Sequence, residues 1–165
     1  MKKRYTVVFL ADQYPPKQLL LLQRGADRPF APNRFTGIGG KIELGENPKV
    51  AALRELMEET QPPITDIPIV EFGRVIINDN QIIHYYAGLN DGHPLPSSNE
   101  GTLFRTPINE VFATNLIPTT RWFMEKWAER LWDITKPFTM YLSRFGDIDS
   151  RAEDVRVVEG LEDLP

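Results

Sequence analysis

Cysteine is absent from the 165 residues. Neither a disulfide framework nor a thiolate metal site is therefore available. The absence agrees with a reducing compartment without demanding one, since an exported protein can also lack cysteine. Histidine occurs twice, as His84 and His93, too few imidazoles for a zinc centre. His84, in an apolar run beside Tyr85 and Tyr86, reads as a hydrogen-bonded packing residue. His93, in a Pro/Gly loop, reads as exposed. Long apolar runs are lacking too: no stretch approaches the roughly 18 residues of a membrane span. The basic start Met1–Arg4 precedes only a short run, Tyr5–Ala11, which ends at Asp12 without a small-residue cleavage pattern. Neither a membrane span nor an export signal is expected, and the expected location is the cytoplasm. A strong charge of one sign is missing as well. The net charge of −4 and pI of about 5.3 give no electrostatic footprint for duplex nucleic acid. A small phosphorylated ligand stays compatible, because a bound metal can supply positive charge locally.

Hydrophobic residues make up 41% and charged residues 25% of the chain, the balance of one compact globular domain. Tyr5–Ala11 and Leu19–Leu22 read as strands around Pro15-Pro16, a first hairpin. Gly25–Arg34 is a loop. Asn47-Pro48 is a helix start, since Asn caps free N–H groups and Pro suits the first turn. The helix is predicted over Pro48–Thr60, stopped by Pro62-Pro63. Ile67–Asn78 and Gln81–Leu89 form a second hairpin about Asp79-Asn80. Thr102–Arg105 reads as a short strand and Pro107–Ala113 as a helical turn. Thr119–Thr135 reads as an amphipathic helix carrying Trp122, Trp127 and Trp132, and Phe138–Arg144 as a last strand. The first two tryptophans share a broad packing face, with Trp132 at its margin. The remainder, 147–165, is an acidic C-terminal extension to the domain of 1–146, either packed or loose. This order predicts an α/β fold: a mixed sheet flanked by helices.

One stretch concentrates chemistry. Gly39-Gly40-Lys41-Ile42-Glu43-Leu44-Gly45-Glu46 leads into the helix, which carries Arg54-Glu55-Leu56-Met57-Glu58-Glu59. Glu55, Glu58 and Glu59 stand at i, i+3 and i+4, so their carboxylates share one helical face. Like charges at that spacing repel, and a hard divalent cation offsets them; Mg²⁺ is the default beside phosphates, with Mn²⁺ as a substitute. Arg54 can orient a carboxylate through a bidentate hydrogen bond. The glycines allow close backbone approach to the site. Glu43 and Glu46 sit in the loop just before the helix, within reach of the same site. The chemistry that fits is displacement at phosphorus by water, with a metal neutralising developing charge and a carboxylate accepting the proton. A glutamate-rich helix face alone would read as a solvated surface; glycines, Glu46, Arg54-Glu55 and Glu58-Glu59 at fixed offsets do not.

This segment resembles the Nudix box, G-x5-E-x7-R-E-U-x-E-E-x-G-U with U apolar, from Gly40 through Glu46 and Arg54-Glu55-Leu56 to Glu58-Glu59. The resemblance implies the Nudix fold, a mixed sheet sandwiched between helices. It implies Glu55, Glu58 and Glu59 as metal ligands, Gly40 as a carbonyl ligand and Arg54 as a brace. Two positions depart: Gln61 and Pro62 stand for the box's later glycine and apolar residue. An altered loop with activity kept is expected. Outside the box, Arg34–Lys41 and Ile117-Pro118-Thr119-Thr120 resemble the MutT-type branch, which hydrolyses oxidised purine nucleoside triphosphates. That likeness implies Thr36, Lys41, Ile117 and Thr119 as substrate-binding residues, and Glu100 as a further metal-binding or base carboxylate; as further substrate-binding candidates, Phe35 can stack on a base and Arg24, at a strand end, can meet a phosphate. From the residues alone, Phe35 reads equally as a core aromatic and Arg24 as a solvated cation. Thr36, Ile117, Thr119 and Thr120 differ from the purine-reading residues of that branch. Three readings stay open: a triphosphate pyrophosphatase acting on a substrate such as 8-oxo-dGTP, a Nudix pyrophosphatase on ADP-ribose or a dinucleotide, and a non-catalytic nucleotide sensor. All three imply a small-molecule nucleotide partner, with the chain a monomer or homodimer.

Overall fold

The computed structural model describes residues 2–90, 95–144, 149 and 151–165; His93 and the 146/147 boundary lie outside them. The elements are β1 (Lys3–Ala11), β2 (Gln18–Arg24), β3 (Phe35–Thr36), β4 (Ile38–Lys41), α1 (Pro48–Glu59), β5 (Ile69–Ile77) and β6 (Gln81–Leu89). They continue with β7 (Gly101–Pro107), a 3-10 turn (Ile108–Ala113), α2 (Pro118–Glu129), β8 (Phe138–Ser143) and β9 (Asp154–Glu159). The strands join one sheet in the order β3-β2-β1-β6-β5-β8-β9, with β4 also paired to β1 and β7 to β2. β1 runs parallel to β6 and β5 parallel to β8, while the other pairings are antiparallel.

Strand alternation sorts the apolar residues onto two faces. On β1 and β2, Val8, Leu10, Leu20 and Leu22 pack with Ala52 and Leu56 of α1. Their neighbours Phe9, Ala11, Leu19 and Leu21 pack with Phe123, Met124 and Trp127 of α2. Continuous apolar runs therefore mark strands covered on both sides, and the sheet lies between the helices as expected. The α2 face is aromatic: the Phe123 ring stacks on Tyr85 at 3.8 Å and on Phe138 at 5.0 Å. It sits over Gly73, where a Cβ would collide with it. Among the described residues, no helix is long and apolar enough to cross a membrane.

One expectation needs correction. The second helix, expected to reach Thr135, ends at Glu129. Leu131 takes a left-handed φ of 58°, its N–H bonds Ala128 O at 3.0 Å, and the Trp132 N–H bonds Trp127 O at 3.0 Å. This is a Schellman closure, completed by the Trp132 ring packing on Trp127 at 4.9 Å. Glycine usually marks such a stop; here leucine stands in its place, so the sequence carries no signal. At the end of the chain, where the acidic extension was open to a packed or a loose form, β9 pairs along β8. The acids there are partnered, Glu159 with Arg130 at 2.8 Å and Asp163 with Arg4 at 2.9 Å.

Leu131 is 78% exposed, so its side chain adds little packing while its backbone carries the left-handed cost. Replacing Leu131 by Gly is expected to stabilise the fold by about 0.5–1 kcal/mol, read as a higher urea midpoint at unchanged m-value. A lower midpoint would contradict this account of the helix stop.

Candidate active site

The site is built where α1 crosses β4. Asn47 caps the helix, its Oδ1 accepting from Lys49 N at 2.9 Å, with Pro48 in the first turn. Leu56 and Ala52 anchor the inner face, which turns Glu55 and Glu59 inward: they are 9% and 8% exposed. Gly40 lies directly beneath, since any Cβ there would collide with the Glu55 carboxylate. Thr60 closes the helix by donating to Leu56 O and accepting from Ile64 N at 2.8 Å. Past it, Gln61 and Ser97 exchange backbone hydrogen bonds of 2.8 and 2.9 Å. These main-chain bonds, which do not depend on the side chain at Gln61, tie the helix exit to the segment leading to Glu100.

Arg54 organises the acids. Its Nε and Nη2 donate to both oxygens of Glu46 at 2.8 and 2.9 Å, and its Nη1 reaches Glu55 at 3.0 Å and Glu58 at 3.3 Å. Nη2 also donates to Lys41 O at 3.1 Å. The glutamate that Arg54 braces bidentately is therefore Glu46. The hydrogen bonds from Arg54, helped by the Glu43 N–H, hold Glu46 down at about 2. Glu59 goes the other way: burial, then the adjoining Glu55 carboxylate, push it up to about 9. Glu59 Oε2 is buried and unpartnered. Among the described residues, three carboxylate or imidazole side chains do not yet converge on one point, because Glu58 is turned to Arg54 and its side chain is 56% exposed. The residues nonetheless fit a hard cation. Two buried carboxylates in contact are tolerated by sharing a proton, and the unsatisfied oxygen faces the region where positive charge is needed.

Beside Gly40 and Glu59 opens a cavity of about 600 Å³. Its lining includes Arg24 and Phe30, Thr36, Ile117, Thr119 and Thr120, and Tyr5, Ile83 and Tyr85 from the sheet. Thr36 and Thr120 share a hydroxyl hydrogen bond of 3.3 Å. Tyr85 Oη and Thr6 Oγ1, both lining residues, are buried without a partner among the described residues. Arg24 donates to Phe30 O at 2.8 Å; burial, then the neighbouring Arg28, lower its affinity for its proton.

The expected substrate residues Arg24, Thr36, Lys41, Ile117 and Thr119 thus line one cavity. Phe35 does not. Its ring packs on the α2-side core and on Phe104 at 5.8 Å. Its backbone instead pins the Ile117 wall, Ile117 N donating to Phe35 O at 2.9 Å. Glu100 lies near Glu59 but is held by Arg28 at 2.6 Å. His84 is a buried packing residue as read, its Nδ1 2.7 Å from Glu71 Oε2. Tyr85, Phe30 and Arg28 escaped the sequence reading. Alternation from the core-facing Phe72–Val75 neighbours would have pointed Tyr85 to the α2 face; the two loop residues carry no such signal.

Because the folded value of Glu46 lies below its ordinary 4.5, its pairing stabilises the fold fully above that pH, and the contribution is lost as pH falls towards 2. Wild type is expected to lose more stability than Glu46→Gln between pH 4.5 and 2 in acid denaturation, the two curves converging at the acid end. Parallel curves would contradict the Arg54–Glu46 brace.

The comparisons with known proteins agree with this geometry. The NUDIX domain profile matches residues 2–131. A MutT protein from Bacillus halodurans superposes with a TM-score of 0.70 at 21% identity, covering 94% of this chain and 97% of that one. MutT from Aliivibrio salmonicida and Vibrio cholerae gives 0.65 at 15% identity, over 79% and 99%. A NUDIX hydrolase from Nitrosomonas europaea gives 0.62 at 17%, over 78% and 71%. With that profile spanning most of its length and the box folded around Gly40 and α1, the chain belongs to the Nudix family of hydrolases acting on pyrophosphate bonds.

Proposed function

We propose that this chain hydrolyses a nucleoside triphosphate to the monophosphate and pyrophosphate, as a cytoplasmic enzyme of nucleotide pool sanitation. One observation carries the reading: a single cavity is lined both by hydroxyl and apolar groups and by Gly40, Lys41 and Glu59. A base and a phosphate chain thereby find opposite chemistries in one continuous space. Glu55, Glu58, Glu59 and the Gly40 carbonyl would hold Mg²⁺ or Mn²⁺, with Glu100 completing the set. That ion, when bound, supplies positive charge to the phosphate oxygens and acidity to the attacking water.

The chain's own residues do the rest. Arg24 offers a guanidinium to the phosphates from the wall of the cavity. Arg54 keeps Glu46 ionised and holds the loop to the helix. Glu46, so engaged, is a weak base. Glu58, half out in solvent and held by one longer hydrogen bond of 3.3 Å, is free to leave Arg54 for the ion. At the base end, Thr36, Thr119, Thr120 and Tyr85 present neutral hydroxyls able to donate or accept, and Ile117 an apolar wall. Such groups accept an oxidised purine such as that of 8-oxo-dGTP and, carrying no fixed charge, discriminate modestly against the unmodified base.

A screen for pyrophosphate release over 8-oxo-dGTP, unmodified nucleoside triphosphates, ADP-ribose and dinucleoside polyphosphates, with Mg²⁺, Mn²⁺ or EDTA, tests this. Triphosphates are expected to be cleaved with metal and not with EDTA. Cleavage of ADP-ribose or dinucleotides alone would overturn the substrate class. Glu58→Gln is expected to lower kcat by about 10²–10⁴-fold with an unchanged circular dichroism spectrum, and undiminished turnover would remove Glu58 from the mechanism.

A further inference from the structure

We propose that Arg28 is a positioning residue for Glu100, a second arginine brace that faces Arg54 across the carboxylate cluster. The proposal rests on the reading in which Glu100 serves the hydrolysis. Its geometry is independent of the Nudix box, since Arg28 lies in the loop after β2. Arg28 Nη2 stands 2.6 Å from Glu100 Oε2, with the two side chains 35% and 24% exposed. The backbones are locked together as well. Gly25 N donates to Glu100 O at 3.1 Å, Arg28 N donates to Gly25 O at 3.2 Å, and Arg24 pairs with Gly101 in the β2–β7 ladder. A turn built on Gly25 thus lays Arg28 over Glu100. From the other side, the Gln61–Ser97 pairing draws the same segment towards the end of α1, and Glu100 N is fixed by Ser98 Oγ at 3.1 Å.

The electrostatics explain why a brace is needed. Glu59 feels the charges of Glu55, Glu100 and Arg24, and Arg24 feels those of Arg28, Glu100 and Glu59. A third carboxylate beside the buried Glu55–Glu59 pair is repelled by it. Left to itself, the Glu100 side chain would turn to solvent, because its backbone position does not dictate its rotamer. A charge-assisted hydrogen bond to a guanidinium fixes that rotamer and keeps the carboxylate near the cluster. Arg54 does the same for Glu46. The two arginines therefore hold two carboxylates that flank the buried pair, one on the helix entry and one on the β7 side.

Arg28→Ala, Arg28→Lys, Glu100→Ala and the Arg28→Ala/Glu100→Ala double variant test this by steady-state kinetics with Mg²⁺ on a triphosphate that wild type cleaves. Arg28→Ala is expected to lower kcat by about 10- to 100-fold, the range for loss of a partner that orients a ligand, with little change in KM. Lysine is expected to restore part of it. In the Glu100→Ala background, the Arg28→Ala loss is expected to vanish, because the residue acts through Glu100. A second readout needs no turnover: the Arg28 Nη2–H resonance, at the nitrogen that meets Glu100, is expected in ¹H–¹⁵N spectra to exchange slowly and to shift in Glu100→Ala. If wild type cleaves no triphosphate, the substrate reading fails while this resonance still decides the brace. The proposal is overturned by an unmoved resonance, by wild-type kcat in Arg28→Ala, by an equal loss in both backgrounds, or by a loss confined to KM.

Discussion

Two carboxylates held in contact out of water are the constraint around which this molecule is arranged. Glu55 and Glu59 lie one turn apart on the inner face of α1, both nearly buried, because Ala52 and Leu56 on that same face are needed for the core. Packing the helix forces the charges inward. The surroundings answer that cost in several ways: glycine at residue 40 leaves room for the Glu55 carboxylate, Glu59 keeps a proton, and Arg54 stands beside Glu55. A site strained by like charge is also a site ready for a cation, and this joins the stability of the fold to its chemistry.

The sheet supplies the other half of that arrangement. β1 pairs with β4 along Tyr5–Val8 and with β2 only at Leu10 and Ala11. Along the stretch paired to β4, Tyr5, Thr6 and Val7 line the cavity together with Ile83 and Tyr85 of β6, Gly40 and Glu59. The aromatic stack of Tyr85, Phe123 and Phe138 fixes α2 on the sheet and so places Ile117, Thr119 and Thr120 along the cavity. The Phe35 backbone pins the same segment from β3. The carboxylates of α1 and the hydroxyls of α2 thus come from opposite faces of one sheet.

Much of this was legible in the residues, and for identifiable reasons. Asn47-Pro48 and the i, i+3, i+4 glutamates are local signals, and local signals survive folding; the helix ends one residue short of its expected limit, at Thr60, which caps it. Apolar runs marked β1, β2, β5 and β6 because these strands are covered on both faces. The end of α2 was not legible, since Leu131 takes a conformation that glycine usually announces. Nor was β9, whose acidic residues resemble a solvated tail until Arg130 and Arg4 are brought to them by the fold. Phe35 was ambiguous because a two-residue strand gives no alternation to read. The pairing of Arg28 with Glu100 joins residues far apart in sequence and lies beyond any local pattern.

The most direct measurement is calorimetric titration of the metal-free protein with Mg²⁺ at pH 7, in wild type and in Glu59→Gln. If the buried Glu55–Glu59 pair is the cation site, saturable binding is expected in wild type and its loss in Glu59→Gln. Equal binding by the two proteins would contradict the account.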